Sequence, residues 1–296
     1  MSDGKIRIWS MAMQSYGFLL RHPGALVRVG WLPLLALFGL NLLFDAYAPW
    51  PKTVDPVAMF PRFGSLSANL LGHTLVAAVV LVTWHRFVLF GQTPGNGVLG
   101  IRLGRRELRY MGMWLLLSLL FLFVFSLGTL VFIAVGFGGM MGTHQALVIA
   151  GSAGAVPLGQ KAQFIVLQVI AVIGAFLCAC YATCRLSLTL PALATDKKSS
   201  FGHAWQISGG NGWRLVAAFL LVMLPMQVAH LAAALLATGL SDTPLYLVAA
   251  LLASASTLLL ILVMGTLFSL FAQSLEQASE AEAEPQPAVL APRGAS

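Results

Sequence analysis

Charge is scarce in this chain: Asp, Glu, Lys and Arg together make up 9% of it, against 58% apolar residues. Soluble domains carry roughly a quarter charged residues, so a soluble composition is excluded. Carboxylates are the scarcest of all. Asp3, Asp55, Glu107, Asp196 and Asp242 fall in polar loops or termini, Asp45 sits near the end of an apolar run, and the remaining glutamates lie in the C-terminal tail. None occupies the middle of an apolar run, where a carboxylate would mark proton or cation coupling, and this argues against a proton-driven pump.

The motifs of catalysis are missing as well. There is no His-Glu-x-x-His, no Gly-x-Ser-x-Gly and no Gly-rich Walker loop with its Lys, which removes the common routes to an activated water, nucleophile or phosphate. The expectation is a protein that is not an enzyme and holds no metal or cofactor. Cysteine is confined to Cys178, Cys180 and Cys184, inside one apolar run. Cys180 and Cys184 share a helical face and could form a soft-metal or redox pair, but one helical turn gives poor disulfide geometry and no His stands at ligand spacing. They read as small packing residues. The methionine pairs Met11 and Met13, Met111 and Met113, and Met223 and Met226 likewise read as filler rather than copper ligands.

What is present is apolar length. Six runs, at about 24–47, 66–91, 112–136, 163–190, 213–238 and 245–272, are each long enough to cross a bilayer, since roughly 20 helical residues span a hydrocarbon core of about 30 Å. This predicts an all-α integral membrane protein with a six-span domain over 1–275 and a disordered acidic cytoplasmic tail over 276–296. The first run starts late and continues too long for a signal-peptide core, so it is expected to be retained.

The basic residues alternate between loops. Lys5, Arg7, Arg21 and Arg28 precede or open the first run; Arg86, Arg102, Arg105, Arg106 and Arg109 lie around the second connection; Arg185, Lys197, Lys198 and Arg214 lie around the fourth; Arg293 is in the tail. Of the 17 basic residues only Lys52, Arg62 and Lys161 fall on the other side. The positive-inside rule then places both termini in the cytoplasm, and the expected location is a bacterial inner membrane. The net charge of +7 is read as topology and contact with anionic lipid, not as nucleic-acid binding.

The segments before the first, third and fifth spans look alike. In 5–20, Ile6, Trp9, Met13, Tyr16 and Leu20 line one helical face while Lys5, Gln14 and Ser15 point elsewhere; in 98–113 arginines interleave with apolar residues; in 199–207, Phe201, Ala204 and Trp205 share a face after a Ser199 or Ser200 cap. This predicts three units, each an interfacial amphipathic helix followed by a transmembrane hairpin. The run Ser-Phe-Gly-His-Ala-Trp-Gln-Ile-Ser-Gly-Gly-Asn-Gly-Trp-Arg-Leu-Val at 200–216, and Arg21-His-Pro-Gly before Trp31-Leu-Pro, resemble stand-alone bacterial relatives of the membrane domain of glycerophosphodiester phosphodiesterases. The resemblance implies a six-helix membrane domain of unassigned activity. It carries no catalytic residue, because the phosphodiesterase chemistry belongs to a separate soluble barrel for which this chain has no room.

Arg86 and Arg185 sit just inside the inner ends of the second and fourth spans, with no acidic residue in those spans to pair with. Such arginines either snorkel to headgroups or find an anion, and phosphate is the attractive one. Together with Arg105, Arg106, Arg109 and Arg214 they form the expected anion- or lipid-binding set. Pro33 and Pro225 interrupt the first and fifth spans, and His230 follows one turn later; such breaks can open a cavity, or simply kink a tilted helix. The leading expectation is a non-catalytic protein that binds anionic membrane lipid or supports envelope maintenance. The alternatives are a transporter, or a subunit of one, for a small substrate such as an anion, and a scaffold for a partner membrane protein or a second copy of the chain.

Overall fold

The computed structural model describes the backbone of residues 7–47, 56–91, 104–149, 158–197, 200–240 and 243–283, with side chains at 7–47, 69–91, 104–131, 166–197, 200–240 and 243–279. These residues form α1 (Ile8–Arg21), α2 (Pro23–Tyr47), α3 (Pro56–Phe90), α4 (Arg105–Ile149), α5 (Leu158–Leu186), α6 (Thr189–Ala194), α7 (Phe201–Ile207), α8 (Gly212–Gly239) and α9 (Leu245–Ala283). No strand occurs among them, and α2, α3, α4, α5 with α6, α8 and α9 are long and apolar enough to cross a membrane. The chain is a multi-pass membrane protein of six spans. At 45 residues, α4 is about 68 Å long and must project beyond a hydrocarbon core of about 30 Å.

The inner helices are α3 and α9, with 50% of their apolar windows buried, whereas α4 has 6% and turns most of its surface outward. α9 is the hub, touching α1, α2, α3, α6, α7 and α8, while α4 and α5 pair at the side of the bundle. Lipid tails are as apolar as leucine, so helix association in a membrane depends on close packing and interhelical hydrogen bonds. Both are visible. A Cβ on Gly265 would stand 2.5 Å from Leu81 Cδ2 and 3.2 Å from Trp84 Cδ1, so α9 approaches α3 through a bare backbone. Beside it the Trp84 indole N–H donates to Thr266 Oγ1 at 2.8 Å. His85 Nδ1 meets Ser269 Oγ at 2.6 Å and its Nε2 meets the Tyr110 hydroxyl at 2.9 Å, joining α3, α9 and α4.

At the side of the bundle a Cβ on Gly128 would fall 2.7 Å from Ala175 Cβ and 3.3 Å from Ala175 Cα. Neither atom can swing away, because both are fixed to the α5 backbone. Gly128→Val is therefore expected to force α4 and α5 apart at a cost of about 1–3 kcal/mol, read as a lowered midpoint in detergent thermal unfolding.

The described residues do not show the expected three-unit arrangement. In α1, Met11, Ala12, Ser15 and Leu19 are buried, and the helix packs on α8 and α9. Residues 11, 15 and 19 make an i, i+4 stripe, and small Ala12 and Ser15 allow close approach. Trp9, Met13 and Leu20 face outward, so the predicted apolar face is the surface left to lipid, while Ser15 points into the protein. Tyr16 also turns inward, its hydroxyl donating to the Val222 carbonyl at 2.6 Å in the turn that Pro225 disturbs; burial pushes the phenol up, which keeps it a donor. In the second unit, α4 runs without interruption from Arg105 into its span, and 98–103 lie outside the described residues. In the third unit α7 is, like α1, a helix separate from its span, capped by Ser200, whose Oγ accepts from the His203 backbone N–H.

Two boundaries also differ. The fourth span breaks at Ser187–Leu188 instead of running to 190. Pro191 has no N–H for the Ser187 carbonyl, which accepts instead from Leu190 N at 3.0 Å. The first part of the expected disordered tail is helical, because α9 continues through Ala283. Its Ala- and Glu-rich sequence favours helix, and Leu275 is buried while Glu276 pairs with Lys197. Residues 284–296 lie outside the described residues.

Candidate functional site

The short α6 shapes the site. Its C-terminus closes as a Schellman motif: Lys197 N donates to the Ala192 carbonyl at 2.9 Å and Asp196 N to the Leu193 carbonyl at 3.3 Å. The left-handed position in that motif is ordinarily glycine, yet here it is Asp196, at φ 58°. Its carboxylate crosses to two other helices. Asp196 Oδ1 accepts from Arg106 Nε at 2.8 Å, on the first turn of α4, and Oδ2 lies 3.8 Å from Arg86 Nη1, near the end of α3. Arg86 thus has an acidic partner after all, supplied by the loop beyond the fourth span.

An Asp196 side chain 58% exposed contributes little net stability through ion pairs, typically under about 1 kcal/mol. An L-residue in the left-handed region costs about 1–2 kcal/mol relative to glycine. Asp196→Gly is therefore expected to leave the unfolding midpoint near that of the parent protein, while Asp196→Ala, which loses the carboxylate and keeps the strain, falls below both. What the carboxylate does in the structure is place the two guanidinium groups.

Behind this clasp is a groove of 490 Å³ lined by Arg106, Arg109, Lys197 and His203, with Asp196 as the one carboxylate among its described lining. Arg109 and His203 are exposed at its rim. Lys197 Nζ holds Glu276 of α9 at 2.7 Å. A second hollow of 300 Å³ shares Lys197 and His203 and is otherwise walled mainly by apolar groups, including Leu89, Phe90, Leu188 and Ile207. A cationic mouth therefore adjoins a hollow whose lining mixes these apolar groups with Thr195, Gln273 and Glu276.

Arg185 is not part of that surface. It is 6% exposed, and its Nε donates to Ser208 Oγ at 2.7 Å, Nη1 to the Tyr181 hydroxyl at 3.0 Å and Nη2 to the Trp205 carbonyl. The guanidinium also stacks on the Trp205 ring, 3.7 Å from its centroid. The expected choice between snorkelling and an anion had a third answer, which is a neutral cage of hydroxyls, a carbonyl and aromatic faces that fastens α7 to α5. Arg105 is exposed on the first turn of α4 and Arg214 is half-buried on that of α8; neither is among the residues lining the groove.

Pro33 and Pro225 lie inside continuous helices, so neither span is broken, and neither proline lines a cavity among those described. His230 does, at the opposite end of the bundle, in a hollow of 640 Å³ between α2, α3, α8 and α9. Its Nδ1 is within 3.2 Å of both the Ala253 carbonyl and Thr257 Oγ1, the bond to a neighbouring helix that a packing histidine makes. Cys180 and Cys184 are buried in an apolar cluster with Phe268 and Phe271.

Sequence reasoning did not include Lys197 or His203 in the anion-binding set, and it placed Asp196 in a loop without assigning it a role. The available signal was Leu190-Pro191, which ends the span early and puts Asp196 and Lys197 at a helix terminus facing the arginines. No protein-family model, curated protein or solved structure matches the chain.

Proposed function

We propose that this six-span protein is non-catalytic and binds the phosphate headgroup of an anionic lipid in the groove between α4, α6 and α7, with that end of the bundle in the cytoplasm. The observation that carries the reading is the groove itself. Arg106, Arg109 and Lys197 converge there; Asp196 holds Arg106 and Glu276 holds Lys197, and Arg109 at the rim adds a positive charge beyond those two pairs. Guanidinium forks match phosphate oxygens geometrically. The adjoining hollow walled by Leu89, Phe90 and Leu188 favours a lipid over free phosphate, since it offers room for the start of an acyl chain. The charge bias of the loops supports the orientation.

Each Lys or Arg near an anionic surface is worth about 1 kcal/mol, or roughly fivefold in affinity. Arg109→Gln is therefore expected to lower phosphatidylglycerol retention about fivefold in native mass spectrometry, and Arg109→Gln with Lys197→Gln by more than tenfold. Retention equal to that of the parent protein in the double variant would contradict the proposal.

A carrier is the second reading, favoured by the presence of hollows at both ends with a filled section between them, where Leu81, Ala218 and Leu262 are buried. It requires that section to open. A cysteine at Ala218 that stays unreactive to aqueous thiol reagents under every condition would rule it out.

A further inference from the structure

We infer that the 640 Å³ hollow at the end opposite the cationic groove is a binding site for a primary ammonium group. The hollow is framed by the last turns of α2 and α8 and the opening turns of α9, with Asn69 of α3 completing it. Its described lining contains one carboxylate, Asp45, and neither Lys nor Arg. Among the described lining an anionic ligand finds no Lys or Arg as countercharge. Phe44 and Tyr246 contribute two aromatic rings to the same lining, and a carboxylate with aromatic faces is the combination that recognises organic cations.

The polar inventory narrows the class further. Asn41 Nδ2 is committed to Ser254 Oγ at 3.0 Å, His230 Nδ1 to α9, and the Tyr246 hydroxyl donates to Asp45 Oδ2 at 2.6 Å. The Asn41 and Asn69 amides still carry N–H groups, but the group left without a partner is an acceptor. Asn69 Oδ1 is buried without a hydrogen-bond partner, the one such side-chain atom among the described residues, and Asp45 keeps its second oxygen. A buried acceptor left unpaired is costly, so the ligand that fits brings N–H donors. A quaternary ammonium supplies charge but no donor. A primary ammonium supplies both, with three N–H groups for Asp45 and the amide oxygen.

Two sources present this group: a soluble primary amine, and the ethanolamine headgroup of a phospholipid in the leaflet at that end. Native mass spectrometry of the purified full chain can titrate dihexanoyl phosphatidylethanolamine and dihexanoyl phosphatidylcholine, with n-butylamine as competitor. The ethanolamine lipid is expected to bind about tenfold more tightly than the choline lipid, and Asp45→Asn to remove about tenfold of that affinity. Tyr246→Phe keeps both the carboxylate and a ring, so it is expected to stay within about threefold of the parent. Displacement of the lipid by n-butylamine supports the site with a soluble amine as a sufficient ligand; ethanolamine-lipid preference without displacement supports it with the lipid as the ligand. Equal binding of the two lipids, undiminished binding in Asp45→Asn, or a loss in Tyr246→Phe as large as in Asp45→Asn would overturn the inference, the last because Asp45 would then serve only to hold Tyr246.

Discussion

Arg185→Ala is expected to cost about 3 kcal/mol of stability and to release α7 from the bundle. The side chain is 6% exposed and makes three hydrogen bonds, to Ser208, Tyr181 and Trp205. Hydrogen bonds from a charged donor contribute about 1.5–3 kcal/mol each, offset by the cost of burying the charge. Removal also leaves the Tyr181 hydroxyl without its donor and a void beneath the Trp205 ring. Lysine does not substitute. Its ammonium is a compact point charge that cannot reach three acceptors in a plane while stacking on an indole, so Arg185→Lys should lose about 2 kcal/mol. Thermal unfolding in detergent measures the cost, and tryptic cleavage at Lys197 or Lys198, just before α7, reports its release. An Arg185→Ala protein that unfolds like the parent and resists trypsin would show that α7 is held by something other than this cage.

The second large effect is expected at His85. It is 1% exposed, and Ser269 and Tyr110 on either side of it are both 0% exposed. The imidazole bridges them with one nitrogen each, so α3, α9 and α4 meet at one ring. His85→Ala empties the ring volume and strands two buried hydroxyls, each costing about 1–3 kcal/mol, for a total near 4 kcal/mol with the cavity included. Tyr110→Phe removes a single bond and is expected to cost about 1 kcal/mol. If the three residues act as one network, the His85→Ala and Tyr110→Phe effects combine to less than their sum by at least about 0.5 kcal/mol, which a double-mutant cycle on unfolding free energies resolves. Simple additivity would show that the hydroxyl and the ring contribute separately.

The spans were legible because membrane insertion is a property of local composition, and any run of some twenty apolar residues declares itself. The exceptions have local causes that outrank hydropathy. Pro191 withholds one N–H and splits the fourth span, and the Lys197–Glu276 pair with buried Leu275 carries α9 into a stretch whose charge looked disordered. The cationic groove was legible only in part. Arg106 and Arg109 stood out as arginines beside an apolar run, but Arg106 meets Asp196 across 90 residues, a separation that no periodicity encodes. Arg185 was expected to snorkel or to meet an anion, and a search for carboxylates could not find hydroxyls, a carbonyl and an indole face. The pairing of His85 with Ser269, 184 residues apart, left no trace in the sequence for the same reason. Polar side chains within the spans, such as Asn41 and Asn69, were the overlooked signal for the hollow at the opposite end.

The central claim is that the groove between α4, α6 and α7 holds an anionic headgroup, and the most direct measurement is an electron cryomicroscopy map of the protein in nanodiscs containing phosphatidylglycerol. The account predicts headgroup density in the groove, within hydrogen-bonding reach of the Arg106 and Arg109 guanidinium groups, continuing as a chain into the hollow beside Leu89 and Phe90. A well-ordered map in which both arginines are resolved and the groove between them holds no such density would contradict it.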